Sequence, residues 1–380
     1  MRTADRAREL PESGIRKFFE LAEARDDVIS LGVGEPDFSA PWAARNAAIG
    51  GLERGRTSYT ANRGTAELRK AITAHHEGYD QSYDPGEEVL VTTGASEAVD
   101  LAFRTLVDPG DVVAIHEPTY ISYAPGVELA GGEPLSVPTF AADDFALTPE
   151  RLATAGADEA DLLVLCYPNN PTGATMTEAE LAEVAAFCRE HDLRVVADEI
   201  YSALTYGADH ASIATQPGMR ERTVVVNGFS KAYAMTGLRL GYALGPADAI
   251  DSMNRIHQYT MLSAPTTAQV AGLEALRSCD DEVREMVDEY NRRRQLVVSR
   301  FNGMGLSTFE PGGAFYAFPE CGGDDEAFAE ELLEAEGVAV VPGSVFGAGG
   351  EGHLRVSYAT SMRELKEATD RIARFLEGRD

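Results

Sequence analysis

Between residues 89 and 244 the chain alternates short apolar runs with amphipathic stretches, and no other feature constrains its fold as tightly. VLVTTG (89–94), DVVAIHEP (111–118), DLLVLCYP (161–168), RVVADE (194–199), TVVVNGF (223–229) and LRLGYAL (238–244) all read as strands. Runs so continuously apolar are buried on both faces, which points to a mostly parallel sheet covered by helices on either side. The intervening stretches supply those helices. One runs from Ser96 to about Val107, one starts near Tyr120, and one opens at Thr177, where Glu180 completes a capping box. The expected fold class is α/β.

The pattern then changes. Residues 264–300 read as helical, including the charged stretch DDEVREMVDEYNRRRQLVVSRF. Hairpin-like strands follow in LSTFEPGGAFYAFPE, then a helix near 325–336, VAVVPG, HLRVSYA and a terminal helix. This is a smaller α+β unit, expected to pack with the N-terminal segment. The expected division is 1–45 with the small domain, 46–275 as the large domain and 276–380 as the small one.

Charge narrows the function. With 33 basic and 62 acidic residues among 380, the formal net charge is -29. Such a surface repels nucleic acid and anionic membranes. Arginine far outnumbers lysine, a balance suited to a saline cytoplasm where screening relieves self-repulsion; an acidic mesophilic protein has the same look. Cys166, Cys188, Cys279 and Cys321 form no C-x-x-C pair, and the histidines form no H-E-x-x-H pattern. Neither a metal site nor a disulfide framework is expected, and a reducing cytoplasm is. No apolar run reaches membrane-spanning length.

The chemistry concentrates in NGFSKAYAMTGLRLG (227–241). Only Lys17, Lys70, Lys231 and Lys366 are lysines, yet one of them stands here, eight residues before Arg239. A lysine amine forms a Schiff base with a carbonyl cofactor, and the arginine fork suits a phosphate. An aldehyde and a phosphate held together read as pyridoxal phosphate. Other polar residues stand where strands end and ligands bind. Gly94, Ala95 and Ser96 open a helix that favours an anion, although an ordinary N-cap explains Ser96 as well. Asn170 follows a strand in what is otherwise a plain turn. Asp198 ends another, as a partner for a pyridine nitrogen or as a helix cap, and Tyr201 beyond it also fits core packing. Arg355, on a late strand, calls for an anion: a substrate carboxylate or an internal salt bridge.

These residues fall in the order of one family. SLGVGEPDF (30–38), TSYTANRGTAELRKAI (57–72), TTGASEA (92–98), PTYISY (118–123), YPNNPTG (167–173), VADEIY (196–201), GFSKAYAMTGLRLG (228–241), PGGAFYAF (311–318) and HLRVSYATS (353–361) match it over nearly the whole chain. The chain resembles the class I/II aminotransferases of pyridoxal-phosphate fold type I, archaeal aspartate and aromatic enzymes among them. That resemblance implies a large domain with a mostly parallel seven-stranded sheet, and a smaller α+β domain formed by the N- and C-terminal segments. It implies a ping-pong enzyme moving an amino group between an L-amino acid, aromatic or broad and conceivably aspartate, and a 2-oxo acid such as 2-oxoglutarate.

The resemblance also assigns roles. Lys231 would carry the cofactor and move the substrate proton, Asp198 would face the pyridine nitrogen, and Asn170 and Tyr201 the phenolic oxygen. Tyr120 would stack on the ring, while Arg239, Ser96 and the Ala95 N–H would take the phosphate. Tyr59 would reach the phosphate of a second subunit, making a homodimer with shared sites. Arg355 would clamp the α-carboxylate with Gly34 close by, and Ile15 would lie over the substrate side chain. Two departures stand out. Gly228 replaces a hydroxyl common three residues before the lysine, leaving other donors such as Ser230. Ser96 replaces a lysine of some aspartate-preferring relatives, so a distal carboxylate would need Arg16 or Lys17. Alternatives from other classes are an eliminating C–S lyase on the same fold and a non-catalytic aminotransferase-like sensor. A nicotinamide dehydrogenase lacks support, because TTGASEA is not a G-x-G-x-x-G.

Overall fold

The computed structural model describes residues 3–10, 14–15 and 27–379. Its strands, in chain order, are β1 (Ile29–Ser30), β2 (Val89–Thr92), β3 (Val112–Glu117), β4 (Glu133–Pro138), β5 (Leu162–Cys166) and β6 (Arg194–Asp198). They continue with β7 (Thr223–Gly228), β8 (Gly241–Leu244), β9 (Tyr316–Ala317), β10 (Val338–Ala339), β11 (Val341–Pro342) and β12 (Leu354–Ser357).

Seven of them form one sheet in the order β2-β8-β7-β6-β5-β3-β4. All pairs are parallel except those of β8, which runs antiparallel to both β7 and β2. The alternation of side chains along each strand builds two cores. Val89, Val91, Leu163, Leu165, Val195 and Val225 face one side, against helices Ala66–His76, Glu178–Glu190 and Thr266–Ser278. Leu90, Val113, Ile115, Val164, Val196 and Val226 face the other, against helices Ala95–Leu106, Tyr123–Ala130 and Ala247–Thr260. Each such aliphatic side chain contributes about 1.5–3 kcal/mol through burial, which is why the sheet needs both layers.

Four features differ from the sequence reading. β4 was not foreseen, because it is an edge strand whose Glu133, Pro134 and Ser136 are exposed and break the apolar signature. Helix Ala247–Thr260 was also not foreseen, since it is polar on every face except the one around Ile250 and Met253. The expected helix over 264–300 is two helices, Thr266–Ser278 and Asp280–Gly303, parted at the buried Cys279. The segment read as hairpin-like contributes only β9, which pairs with β12 rather than with itself. The capping box at Thr177 and Glu180 is present.

A third core gathers Leu31, Tyr290, Phe301, Phe315, Leu332, Val340, Val356 and Ile372. β1 pairs in parallel with β10, and the Ser357 N–H donates to Leu31 O at 2.7 Å. Residues near the start of the chain are thus stitched to its last hundred. Because β8 is antiparallel to both its neighbours, β2 and β7 run the same way. The carboxyl ends of β2, β5, β6 and β7 therefore share one edge, and that edge collects the functional side chains.

Candidate active site

Lys231 follows β7 by three residues, and its Nζ donates to Gly34 O at 2.5 Å. The rings of Phe315 and Tyr201 lie 5.5 and 5.7 Å from the amine. Burial, helped by the nearby Arg355 charge, lowers its pKa to about 8. An amine so placed has a reactive neutral fraction near neutral pH.

At the end of β2, Gly94 takes φ 79° and caps helix Ala95–Leu106. A side chain on Gly94 would come within 2.5 Å of Arg239 Nη2, and one on Gly241 would collide with the Ala95 amide. Two glycines therefore let the Arg239 guanidinium lie against the helix start, where first-turn N–H groups have no intrahelical acceptor. Ser96 is exposed at the second position. Arg239 itself takes φ 53° and donates to Thr236 O at 2.9 Å. Behind this cradle the buried Glu97 accepts from the Thr93 N–H at 2.5 Å and lies 2.7 Å from His257. Gly228 has a physical reason too. A Cβ there would come within 2.9 Å of Gly241 Cα across the β7–β8 pair, leaving no room for a hydroxyl. Ser230 is buried in the lysine loop.

Asp198, the last residue of β6, is buried. Its Oδ2 accepts from the Tyr123 hydroxyl at 2.8 Å and its Oδ1 from the Ile200 N–H at 3.1 Å. No helix follows, so it caps a turn and not a helix. Burial pushes the carboxyl up to about 6, against the Tyr123 bond that favours its charged form. Tyr120, half exposed, sets its ring edge-on to that of Tyr123 at 5.6 Å.

Arg355 is set apart from the other buried arginines among the described residues. Three arginines are buried among the described residues. Arg293 pairs with Asp37 at 2.8 Å, Arg294 pairs with Glu310 at 2.8 Å, and Arg355 has no carboxylate partner among those residues. Its Nη1 donates to Asn170 Oδ1 at 3.0 Å and its Nη2 to Gly32 O at 2.5 Å, while its Nε is buried without a partner. The guanidinium lies near the rings of Tyr316 and Phe346, 4.9 and 4.8 Å from their centroids. A buried cation with only neutral partners is costly unless an anion joins it.

Lys231, Asp198, Tyr201, Asn170, Arg355, Gly34, Tyr120, Ala95, Ser96 and Arg239 therefore gather at one sheet edge. Tyr59 does not join them within the protomer: its side chain is 79 % exposed. Ile15 is buried, next to a Gly14 that touches Val345, while Arg16 and Lys17 lie outside the described residues. The sequence reading gave no role to Tyr123, Tyr316 or Phe346. The structure gives Tyr316 its place. Its register opposite Ser357 puts it on the face of β12 that also carries Arg355, two residues earlier.

A parallel sheet with a lysine, an anion cradle, a buried aspartate and an unpaired arginine at its carboxyl edge is the layout of a fold type I enzyme. The chain belongs to the aminotransferase class I and II family, whose signature matches residues 26–372. It is an aminotransferase, in a family of pyridoxal-phosphate enzymes. It is 50 % identical over 377 residues to the putative aminotransferase YugH of Bacillus subtilis, covering 98 % of each chain. It is 41 % identical over 389 residues to aromatic-amino-acid aminotransferase 2 of Thermococcus litoralis, covering 99 % of each. The solved aspartate aminotransferase of Thermus thermophilus with maleate superimposes with a TM-score of 0.92 at 38 % identity, over 99 % of this chain and 100 % of that one.

Proposed function

We propose that this aminotransferase uses pyridoxal 5'-phosphate to exchange the amino group of an aromatic or broad range of L-amino acids with 2-oxoglutarate. The observation that carries the reading is the pairing of two cations, the half-buried Lys231 and the buried Arg355, that donate to the carbonyls of one short loop, Gly34 and Gly32. One cation suits a carbonyl and the other a carboxylate, which are the two ends of an amino-acid reaction. The remaining residues fit the cofactor. The cradle of Gly94, Ala95, Ser96 and Arg239 suits a phosphate, and Asp198 lacks a salt bridge among the described residues.

When bound, the cofactor supplies an electron sink for the pair left at the substrate's Cα. The chain supplies the rest. Asp198 would hold a proton at the ring nitrogen, and Asn170 and Tyr201 would donate to the phenolic oxygen. Tyr120 would cover the ring face, and the Arg355 fork would fix the α-carboxylate. Lys231 Nζ, lowered to about 8, takes the Cα proton. The aromatic preference is supported by Tyr120, Tyr316 and Phe346 around Arg355, and by the aromatic-amino-acid relative.

A homodimer completes this reading. Trp42, Ile49, Leu52, Tyr59, Tyr259 and Met261 are exposed, and an apolar surface of that kind calls for cover. The loop carrying Tyr59 is bonded to the 262–266 segment through Thr266 Oγ1 to Ser58 O and Asn62 Nδ2 to Leu262 O, each 2.7 Å. Tyr59 of a second copy would then reach the phosphate. Four free cysteines and the acidic balance support a reducing, saline cytoplasm.

The test is the visible spectrum of the purified protein in high salt, titrated with single amino acids. Donors should convert the cofactor band, and 2-oxoglutarate should restore it. A band that no donor shifts would favour a sensor, and release of ammonia with pyruvate would favour an eliminating lyase. Arg355→Lys is expected to weaken binding of every amino acid by about 1–3 kcal/mol, the worth of a charged hydrogen bond. A KM unchanged for all donors removes Arg355 from the clamp.

A further inference from the structure

Tyr316 is fully buried and touches three parts of the site at once. Its hydroxyl lies 2.9 Å from that of Tyr201, and its ring centroid lies 4.9 Å from the Arg355 guanidinium carbon. A Cβ on Gly34 would sit 2.6 Å from its hydroxyl, so the glycine backbone rests against the phenol. Gly34 in turn accepts the Lys231 amine. We propose that Tyr316 is a positioning residue shared by both halves of the reaction: its hydroxyl donates to Tyr201 and aims that phenol's own proton into the site, while its ring holds the Arg355 guanidinium in place for a carboxylate. The proposal rests on the reading of the site given above.

The proton count leaves two directions, and the surroundings favour one. Each phenol has one proton to donate, and burial raises both phenols above their ordinary range, so both keep it at neutral pH. One of the two protons lies between the oxygens. Neither hydroxyl has another hydrogen-bond partner among the described residues. If Tyr201 donated inward, the Tyr316 proton would be pressed against Gly34, where no acceptor is bonded to it. With Tyr316 donating, the Tyr201 proton is left for an acceptor brought by a ligand, and the chain of two bonds strengthens that donation. The ring has a separate task. The Tyr316 and Phe346 rings both lie within 5 Å of the Arg355 guanidinium carbon, at 4.9 and 4.8 Å, and such contacts limit how far the fork can move.

The two tasks separate in two variants, Tyr316→Phe and Tyr316→Leu, each loaded with pyridoxal phosphate beside the wild type. The readouts are the pH titration of the visible band, the affinity for the unreactive acid 3-phenylpropanoate, and thermal unfolding. Loss of the hydroxyl weakens the Tyr201 bond to the cofactor's phenolic oxygen, so the titration should move to higher pH. Tyr316→Phe is expected to shift it by about half a pH unit and to leave acid affinity within about twofold. Tyr316→Leu is expected to show the same shift and, without the ring, about tenfold weaker acid binding. A wild-type titration in Tyr316→Phe overturns the role of the hydroxyl. Equal acid affinities in the two variants overturn the role of the ring. Losses in Tyr316→Leu that merely follow its melting temperature, with Tyr316→Phe unchanged, reduce Tyr316 to core packing. A wild type that takes up no cofactor removes the underlying reading itself, an outcome distinct from a normal wild type whose variants match it.

Discussion

Replacing Lys231 with alanine is expected to abolish transamination, lowering turnover by at least about 10²–10⁴-fold, the usual contribution of a positioned acid–base group. Among the described residues there is no second candidate for its task. Of the three lysines among the described residues, Lys70, Lys231 and Lys366, only Lys231 stands at the carboxyl edge of the sheet, donating to Gly34 O at 2.5 Å. The fold should not suffer. The amine is buried at a cost that shows in its pKa, lowered from 10.5 to about 8, and removing it removes that cost. The sign can be checked in the protein without cofactor. Between pH 8 and 10.5 the unfolded chain holds a proton at this lysine that the folded chain has released. Wild-type stability therefore rises with pH across that window relative to the alanine variant. Turnover, circular dichroism and thermal unfolding between pH 7 and 11 make the test. More than a few per cent of wild-type turnover, or a stability gap that ignores pH, counts against the assignment.

The large sheet was open to view in the sequence because its strands carry little but Val, Leu, Ile and Ala, and only a strand buried on two faces tolerates that. β4 escaped because an edge strand has one neighbour and keeps Glu133 and Ser136 in solvent. The helix break at Cys279 escaped because helical periodicity runs on through it, and only packing of the two segments shows the turn. Within the site, Lys231 was conspicuous by scarcity and Asp198 by its place at a strand end. Tyr123 and Tyr316 were not, since a buried tyrosine looks like core until its hydroxyl is seen to serve another residue. Arg355 could be read two ways in the sequence; among the described residues it is the buried arginine without a carboxylate partner, while Arg293 and Arg294 pair with Asp37 and Glu310. Tyr59 stays outside the site formed by its own chain, on the exposed surface.

Asp198→Asn separates chemistry from folding most sharply. Asparagine keeps the shape and an oxygen for the Ile200 N–H, and its amide can meet the Tyr123 hydroxyl as an acceptor. What it lacks is the charge that keeps a proton on a pyridine nitrogen, so turnover is expected to fall by about 10²–10⁴-fold. Without cofactor the same change should not destabilise the protein. Burial raises the Asp198 carboxyl from 3.8 to about 6, so the folded chain keeps a proton there that the unfolded chain has lost. Wild-type stability then falls as pH rises through that window, by about 3 kcal/mol at most, and stays lower above it. Asparagine does not titrate, so the variant should match or exceed the wild type at pH 7, and the gap should close below pH 4. Adding pyridoxal phosphate should reverse the order, because the protonated ring nitrogen then compensates the wild-type carboxylate and leaves asparagine without a charge to offer. Unfolding curves at pH 3.5, 5 and 7, with and without cofactor, read both effects in one series. A wild-type protein that gains no more from the cofactor than Asp198→Asn would separate Asp198 from the ring nitrogen, whatever the turnover shows.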